Sequence, residues 1–360
     1  MKTEFDVRPY IKGDEKAIVQ LLTSSFPSWA REKNPQDHYT WKYLEAPNGS
    51  RIIVAVGDDK IIGASHNLNL KIKIGNSSKK GVLSGDVATH PDYRGIGVYS
   101  KILDYNIKIR RMNFQFGYSA SINPIILKKR KTLPDRSMFP HPINFMYRIK
   151  DIDLHLKMRA NRSPTIIGLG YKILKMQNRI SKTLNSNTRT SQNFIIEQIS
   201  RFDDRIDMFW DRIKGEYNYI MEKNREYLNW RYCDPRAGDY ITMQATENGE
   251  VLGFVVLNLI NYNDYEDGLI SDLLALPGRL DVATSLMREA CEYFDDNGVN
   301  AVSYSAVRDN PYLKIAGLSG FIHAMHMRHV IGCQTYDKEA FENLRTSPSK
   351  RVYFSYGDNF

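Results

Sequence analysis

Three short segments of this 360-residue chain return, in the same order, about 190 residues later. "YTWKYLEAPNG" around Trp41 is matched by "YLNWRYCDPRAG" around Trp230, each an aromatic–basic–tyrosine triplet followed by proline and glycine. "DDKIIGAS" (Asp58 to Ser65) is matched by "NGEVLGFV" (Asn248 to Val255), each a tight polar turn entering an apolar strand with an internal glycine. "YSASINPIILK" (Tyr118 to Lys128) is matched by "YSAVRDNPYLK" (Tyr304 to Lys314). Taking Trp41 with Trp230, Gly63 with Gly253 and Ser119 with Ser305, the offsets are 189, 190 and 186. Ordered matches at nearly constant spacing point to two copies of one unit, and the length is ample for two cores. The organisation expected is a first domain over 1–150, a basic helical linker over 151–191 and a second domain over 192–360.

Within the first copy, period and turn signals set the order of elements. "FDVRPYI" reads as a strand. "GDEKAIVQLLTSSF" reads as a helix with Asp14 as N-cap and Ile18, Leu21 and Leu22 inward. "RIIVAVGDDKIIGASHNLNLKIKI" is a hairpin turning at Gly57 to Lys60, and "GVLSGDVATH" is a further strand. Val98, Ile102, Tyr105, Ile109 and Met112 then form one apolar helical stripe, and "FQFGYSAS" closes the unit as a strand. The fold class is α/β: mixed, mostly antiparallel twisted sheets flanked by helices, in tandem.

Charge and cysteine content narrow the function classes. The net charge of +9 is concentrated: eight Lys or Arg and no acid lie between Lys157 and Gln192, and "LKKRK" spans Leu127 to Lys131. Such runs serve nucleic acid, anionic lipid, a phosphate-rich cofactor or plain solubility. In the linker Ile166, Leu169, Ile173 and Met176 recur at helical spacing, as a packing helix would have them. Cys233, Cys291 and Cys333 are odd in number and far apart, which fits reduced core residues and neither a disulfide framework nor a CxxC metal site. No apolar run approaches the roughly 20 residues of a membrane span, and the N-terminus has no signal-type segment, so a cytoplasmic protein is expected. In "HAMHMRH", His323 and His326 fall on opposite faces of a strand, so no metal is expected.

The stretch "GDVATHPDYRGIGVYSKIL" carries the chemistry. A strand runs into Arg94, Gly95 and Gly97 and then straight into the Val98 helix. A helix start presents unpartnered N–H groups and partial positive charge. Glycines let an anion approach the backbone, and a guanidinium adds a charge-assisted contact. The bland alternative is a turn that only reverses the chain. GxxxxGK[ST] is absent, and GxGxxG fails where its third glycine would fall at Ser100.

This stretch resembles the acetyl-CoA-binding motif of the GCN5-related N-acetyltransferases, Arg/Gln-x-x-Gly-x-Gly/Ala after the fourth strand. Arg94 fills its first position and Gly97 its central glycine, while Tyr99 departs from the final Gly/Ala. The resemblance implies that Val87, Ala88 and Thr89 hold the pantetheine arm, and that Arg94, Gly95, Ile96, Gly97, Val98 and Tyr99 hold the diphosphate. It also brings Asn123 of "SINP" to the cofactor arm, although a helix cap before Pro124 serves as well. Asp86, the only carboxylate on the fourth strand, is the candidate general base, with a structural ion pair as its alternative role. Tyr118 or Tyr99 is the candidate proton donor, and Trp41 and Trp230 are core anchors. In the second copy "DLLALPGRLDVATSLMREA" lacks the Arg-x-x-Gly spacing, so that copy is expected to be degenerate. The activity implied is acetyl-CoA-dependent N-acetyl transfer to a primary amine of a small molecule or amino sugar, by a monomer or homodimer. An aminoacyl-tRNA-dependent acyltransferase and a non-catalytic acyl-CoA or nucleic-acid-binding module stay open beside it.

Overall fold

The computed structural model describes residues 4–113, 116–120, 136–151, 154–155, 193–262, 265–323, 331–335 and 337–358. The basic tract of the linker, its expected helix, the "LKKRK" cluster, Asn123, His326 and His329 lie outside the described residues. The chain packs as two compact units. One is Met1–Pro140 with Asp234–Ala237 and His329–Thr346; the other is His141–Cys233 with Gly238–Arg328 and Ser347–Phe360.

The first unit holds β1 (Asp6–Pro9), α1 (Glu15–Ser25), α2 (Pro27–Ala30), α3 (Pro35–Tyr39), β2 (Ser50–Gly57), β3 (Lys60–Ile74), β4 (Ser77–Thr89), α4 (Val98–Asn113), β5 (Phe116–Ala120) and β6 (Arg136–Met138). The second holds β7 (Ile143–Ile149), β8 (Ile195–Ile199), α5 (Arg205–Ile213), β9 (Tyr219–Met221), α6 (Arg225–Leu228), β10 (Tyr240–Glu247), β11 (Glu250–Tyr262), β12 (Tyr265–Ala275), α7 (Leu280–Asp296), β13 (Ala301–Val307), α8 (Pro311–Leu318) and β14 (Ile322–His323). β15 (Ile331–Thr335) and α9 (Lys338–Thr346) return to the first unit.

The sheets follow one plan. The first runs β1-β2-β3-β4-β5-β15-β6, the second β8-β10-β11-β12-β13-β7-β14. Every neighbouring pair is antiparallel except β4 with β5 and β12 with β13, which are parallel. Each sheet includes a strand from the other half of the sequence. β15 pairs with β5 and β6, and β7 pairs with β13 and β14. A contiguous division at residue 150 does not include that exchange.

Helices cover both faces of the first sheet. From α1, Ile18, Val19, Leu21 and Leu22 pack on Ile52, Val54, Ala64 and Ala88. From α4, Val98 and Ile102 pack on Ile53, Ala55 and Ile62, with Tyr105 and Ile109 at the margin. The glycine shared by the two "turn-strand" repeats is explained here. A Cβ on Gly63 would stand 2.7 Å from the Val98 side chain, and one on Gly253 would stand 2.6 Å from the Leu274 carbonyl oxygen and 3.1 Å from Val282. Only glycine lets the following helix lie this close to the sheet.

Asp14 does not cap α1 with its side chain as expected. Its carboxylate turns to Arg8 at 2.7 Å and accepts the Ile11 N–H, because the β1 guanidinium is the stronger partner. Trp41 and Trp230 are buried, Cys291 is buried and Cys233 half-buried, both free thiols; the Cys333 side chain lies outside those described. Among the described residues no three His, Cys, Asp or Glu groups converge on a metal position, and no helix is long and apolar enough to cross a membrane.

Candidate functional site

β4 leads into a short turn and then α4. Gly95 and Gly97 take φ of +84° and +97°, a left-handed backbone that side chains strain to adopt, and nothing lies within 4 Å of where a Cβ would stand on either. Arg94 to Gly97 are all exposed, while Val98 is buried under the sheet and fixes the start of α4. Lys101 N–H closes the first helical bond on the Gly97 carbonyl at 3.0 Å. The Arg94 side chain bonds the Thr89 carbonyl at 3.3 Å; no carboxylate engages it among the described residues, and the first turn of α4 has no acid. The junction is open, cationic and rich in reachable backbone, which suits a phosphate group.

Beside this turn the sheet splays. β4 and β5 share one parallel register pair, Leu83 with Tyr118. From Ser84 onward β4 has no strand partner on that side among the described residues, so its outward peptide groups face an open edge. The β3–β4 ladder is also irregular here. Ala64 pairs with Ala88 but His66 pairs with Gly85, so Asp86 and Val87 bulge, and Asp86 takes φ of +44°.

A buried polar cluster surrounds that bulge. Lys42 Nζ lies 2.9 Å from the Asp86 carboxylate, and the Tyr43 hydroxyl donates to the same oxygen. His66 Nδ1 lies 2.9 Å from the Asp86 carbonyl oxygen, its ring stacks on Tyr43 at 4.3 Å, and its Nε2 meets the Tyr39 hydroxyl at 3.3 Å. Burial alone would raise the Asp86 carboxyl, but the Lys42 ammonium and the Tyr43 hydroxyl outweigh it and hold the group well below the usual carboxylate range. Burial pushes the His66 imidazole down to about 4, so it is neutral at pH 7. A carboxylate held this firmly in its charged form is a weak proton acceptor. The geometry places Asp86 in an ion pair with Lys42, the alternative role its sequence position allows.

The second unit repeats the frame and closes it. Both aromatic–basic–tyrosine triplets occupy single π-helical turns, Thr40–Leu44 and Asn229–Cys233. Tyr232 reaches Asp272 on β12 at 3.0 Å, as Tyr43 reaches Asp86 on β4. There the resemblance stops. The Tyr353 hydroxyl donates to Asp272 at 2.5 Å, accepts the Leu273 N–H at 3.3 Å and lies 2.9 Å from the Leu273 carbonyl oxygen. The Ala275 N–H meets the Tyr312 hydroxyl at 3.0 Å. Lys223, fully buried, pairs with Asp272 at 2.7 Å and with Asp358 at 2.6 Å. Gly357 lies so close to Tyr232 and to the Ser271 carbonyl, 3.1 Å from a Cβ, that no side chain fits. At the α7 start Arg279 is spent on Asp281 at 2.9 Å and Glu247 at 3.3 Å, and lies over the Phe194 ring.

The structure gathers most of the sequence candidates into one region. Val87, Ala88 and Thr89 end β4; Val87 and Thr89 are half-buried, while the Ala88 side chain belongs to the α1 core, so only its backbone is available. Arg94, Gly95, Ile96 and Gly97 form the exposed turn, and Val98 and Tyr99 begin the helix. Tyr118 stands on β5 opposite Leu83, with its side chain outside those described, and Asn123 lies outside the described residues. Sequence reading missed Lys42 and His66. Lys42 was within sight as the basic member of the triplet; nothing local marks His66.

A parallel pair joined at one register position beside a glycine turn at a helix start is the local feature that comparison with known proteins can test. Residues 6–127 match the family model of the acetyltransferase (GNAT) domain. The chain as a whole has the fold of the tandem GNAT proteins. Among solved structures, a probable N-acyltransferase of unknown function from Enterococcus faecalis V583 is similar at TM-score 0.63 and 11% identity, over 94% of this chain and 74% of that one. A tandem GNAT protein from the clavulanic acid biosynthesis pathway is similar at TM-score 0.58 and 11% identity, over 92% of this chain and 98% of that one. The Saccharomyces cerevisiae N-myristoyltransferase with bound myristoyl-CoA is similar at TM-score 0.58 and 9% identity, over 92% and 79%. No curated protein matches the sequence.

Proposed function

We propose that the first unit is an acyl-CoA-dependent N-acyltransferase, with acetyl-CoA as donor and a primary amine of a small molecule or amino sugar as acceptor. The observation that carries this reading is the open Arg94–Gly97 turn at the α4 start beside a β4 edge that has no strand partner beyond Leu83 among the described residues. The residues present suit the cofactor: φ-positive glycines with free space above them suit a diphosphate, and the β4 edge suits an amide-bearing arm. When bound, the thioester supplies an activated acyl carbonyl and a thiol leaving group. Arg94 and the turn amides bind and orient; the backbone of Val87 to Thr89 aligns the arm along the strand. Tyr118, at the mouth of the splay, is the proposed proton donor.

Calorimetry with coenzyme A, followed by thiol release from acetyl-CoA against a panel of amines, tests the proposal. Measurable CoA affinity with amine-dependent thiol release supports it. A folded protein with no CoA affinity refutes it. CoA binding without thiol release from any amine leaves the module without catalysis that the sequence also allowed.

A further inference from the structure

The bulge that opens the β4 edge is held from one side by three residues of the first unit. Lys42 and Tyr43 take the Asp86 carboxylate, and His66 takes the Asp86 carbonyl. We propose that Lys42, Tyr43 and His66 are positioning residues that lock Asp86 in its left-handed bulge, and that Asp86 acts through this backbone shape rather than as proton acceptor. The bulge in turn aims the outward peptide groups of Val87 and Thr89 along the open edge. This rests on the reading that the first unit binds an acyl-CoA.

The second unit supplies an internal comparison. It keeps the tyrosine-to-aspartate contact, Tyr232 with Asp272, and a bulge at Ser271 in the β11–β12 ladder. It also keeps an ammonium on that carboxylate, Lys223 at 2.7 Å, supplied from outside the triplet; what it lacks is the histidine. Val256 stands 190 residues from His66, and the Arg231 guanidinium, in the place of Lys42, bonds the Gly357 carbonyl at 3.2 Å and the Tyr240 hydroxyl at 2.8 Å. Among the described residues the non-glycine positions of positive φ in that unit are Asn248 and Asp309, neither of them on β12. The left-handed kink is thus found where His66 joins the lysine and tyrosine, in the unit whose edge is open among the described residues. Asp86 is a residue type that tolerates such a φ, and the Lys42 and Asp86 side chains are only 11% and 18% exposed.

Four variants of the full chain separate backbone shape from proton transfer. Asp86→Gly and Asp86→Ala both remove the carboxylate and differ in tolerance of positive φ. Asp86→Asn keeps the side-chain hydrogen bonds and removes the base. His66→Val installs the second unit's residue. Calorimetry with coenzyme A is expected to show Asp86→Gly binding about five- to tenfold more tightly than Asp86→Ala, as a left-handed residue demands. Asp86→Asn is expected to lower kcat of acetyl transfer by less than about tenfold, where loss of a general base costs about a hundredfold or more. His66→Val is expected to weaken CoA several-fold, with its fold checked by circular dichroism. Equal CoA affinity for the Gly and Ala variants overturns the clamp, as does a hundredfold fall in kcat for Asp86→Asn with CoA affinity retained. Absence of CoA binding by the unaltered chain sinks the cofactor reading itself, which these variant comparisons leave aside.

Discussion

At the start of α4 the Arg94 guanidinium bonds a single carbonyl, and the first helical turn holds no acid. At the start of α7 the Arg279 guanidinium is spent on Asp281 and Glu247, and the acid lies in the first turn itself. The strands that lead into the two helices differ in the same sense. Peptide groups at the end of β12 are met by the hydroxyls of Tyr353 and Tyr312, whereas the matching positions of β4 border the open splay. One frame, used twice, thus yields an anion-ready edge in one unit and a self-satisfied one in the other. A fold supplies the place for a ligand, and the few side chains that do or do not neutralise the place decide whether one binds.

The comparison is most exposed at the buried charges. Lys223→Met strands Asp272 and Asp358 in the second unit without their cation, and is expected to destabilise by about 4 kcal/mol. Lys42→Met in the first unit costs less, since Lys42 and Asp86 keep 11% and 18% side-chain exposure. Urea midpoints of the two variants check the order; equal losses would break it.

Acid separates the units next. The unfolded His66 imidazole takes a proton near pH 6.5 but the folded one only near 4, so between these values the unfolded chain binds more protons. Stability of the first unit is therefore complete above pH 6.5 and falls as the pH drops toward 4, by on the order of 3 kcal/mol. Asp86, lowered in the folded state, adds its own loss only below the usual carboxylate range. Denaturation at pH 7 and pH 4.5 should show the fall, and His66→Gln should flatten it. A fall unchanged in His66→Gln would assign it to other groups.

The binding contrast is read directly. Arg94→Glu is expected to weaken CoA by about a hundredfold, roughly 2.7 kcal/mol, while Arg279→Glu leaves CoA affinity within about twofold. Calorimetry on both, together with a stoichiometry of one CoA per chain, sharpens the distinction. A second CoA equivalent would erase it.

The smallest effect tests the shared frame. Gly253→Ala meets a backbone oxygen and Gly63→Ala meets the tip of a valine side chain, which can give way. Losses of about 2 kcal/mol and about 1 kcal/mol are expected by thermal unfolding. The reverse order would mean the two helices sit on their sheets differently.

Local and periodic signals account for what could be read from the chain alone. The duplicated segments, the strand and helix order, the α1 and α4 stripes and the Arg94–Gly97 turn all rest on spacing along a few residues. The degenerate second turn is visible for the same reason. Tertiary structure alone decided the rest, because it depends on groups that meet across the fold. Lys42 reaches Asp86 over 44 positions, and Tyr353 reaches Asp272 over 81. Such contacts paired the Asp86 carboxylate with Lys42 and Tyr43, put the Tyr353 hydroxyl on β12, and sent β15 into the first sheet and β7 into the second. Sequence spacing fixes which face a side chain takes, but the charge it meets there is set by chain segments far away.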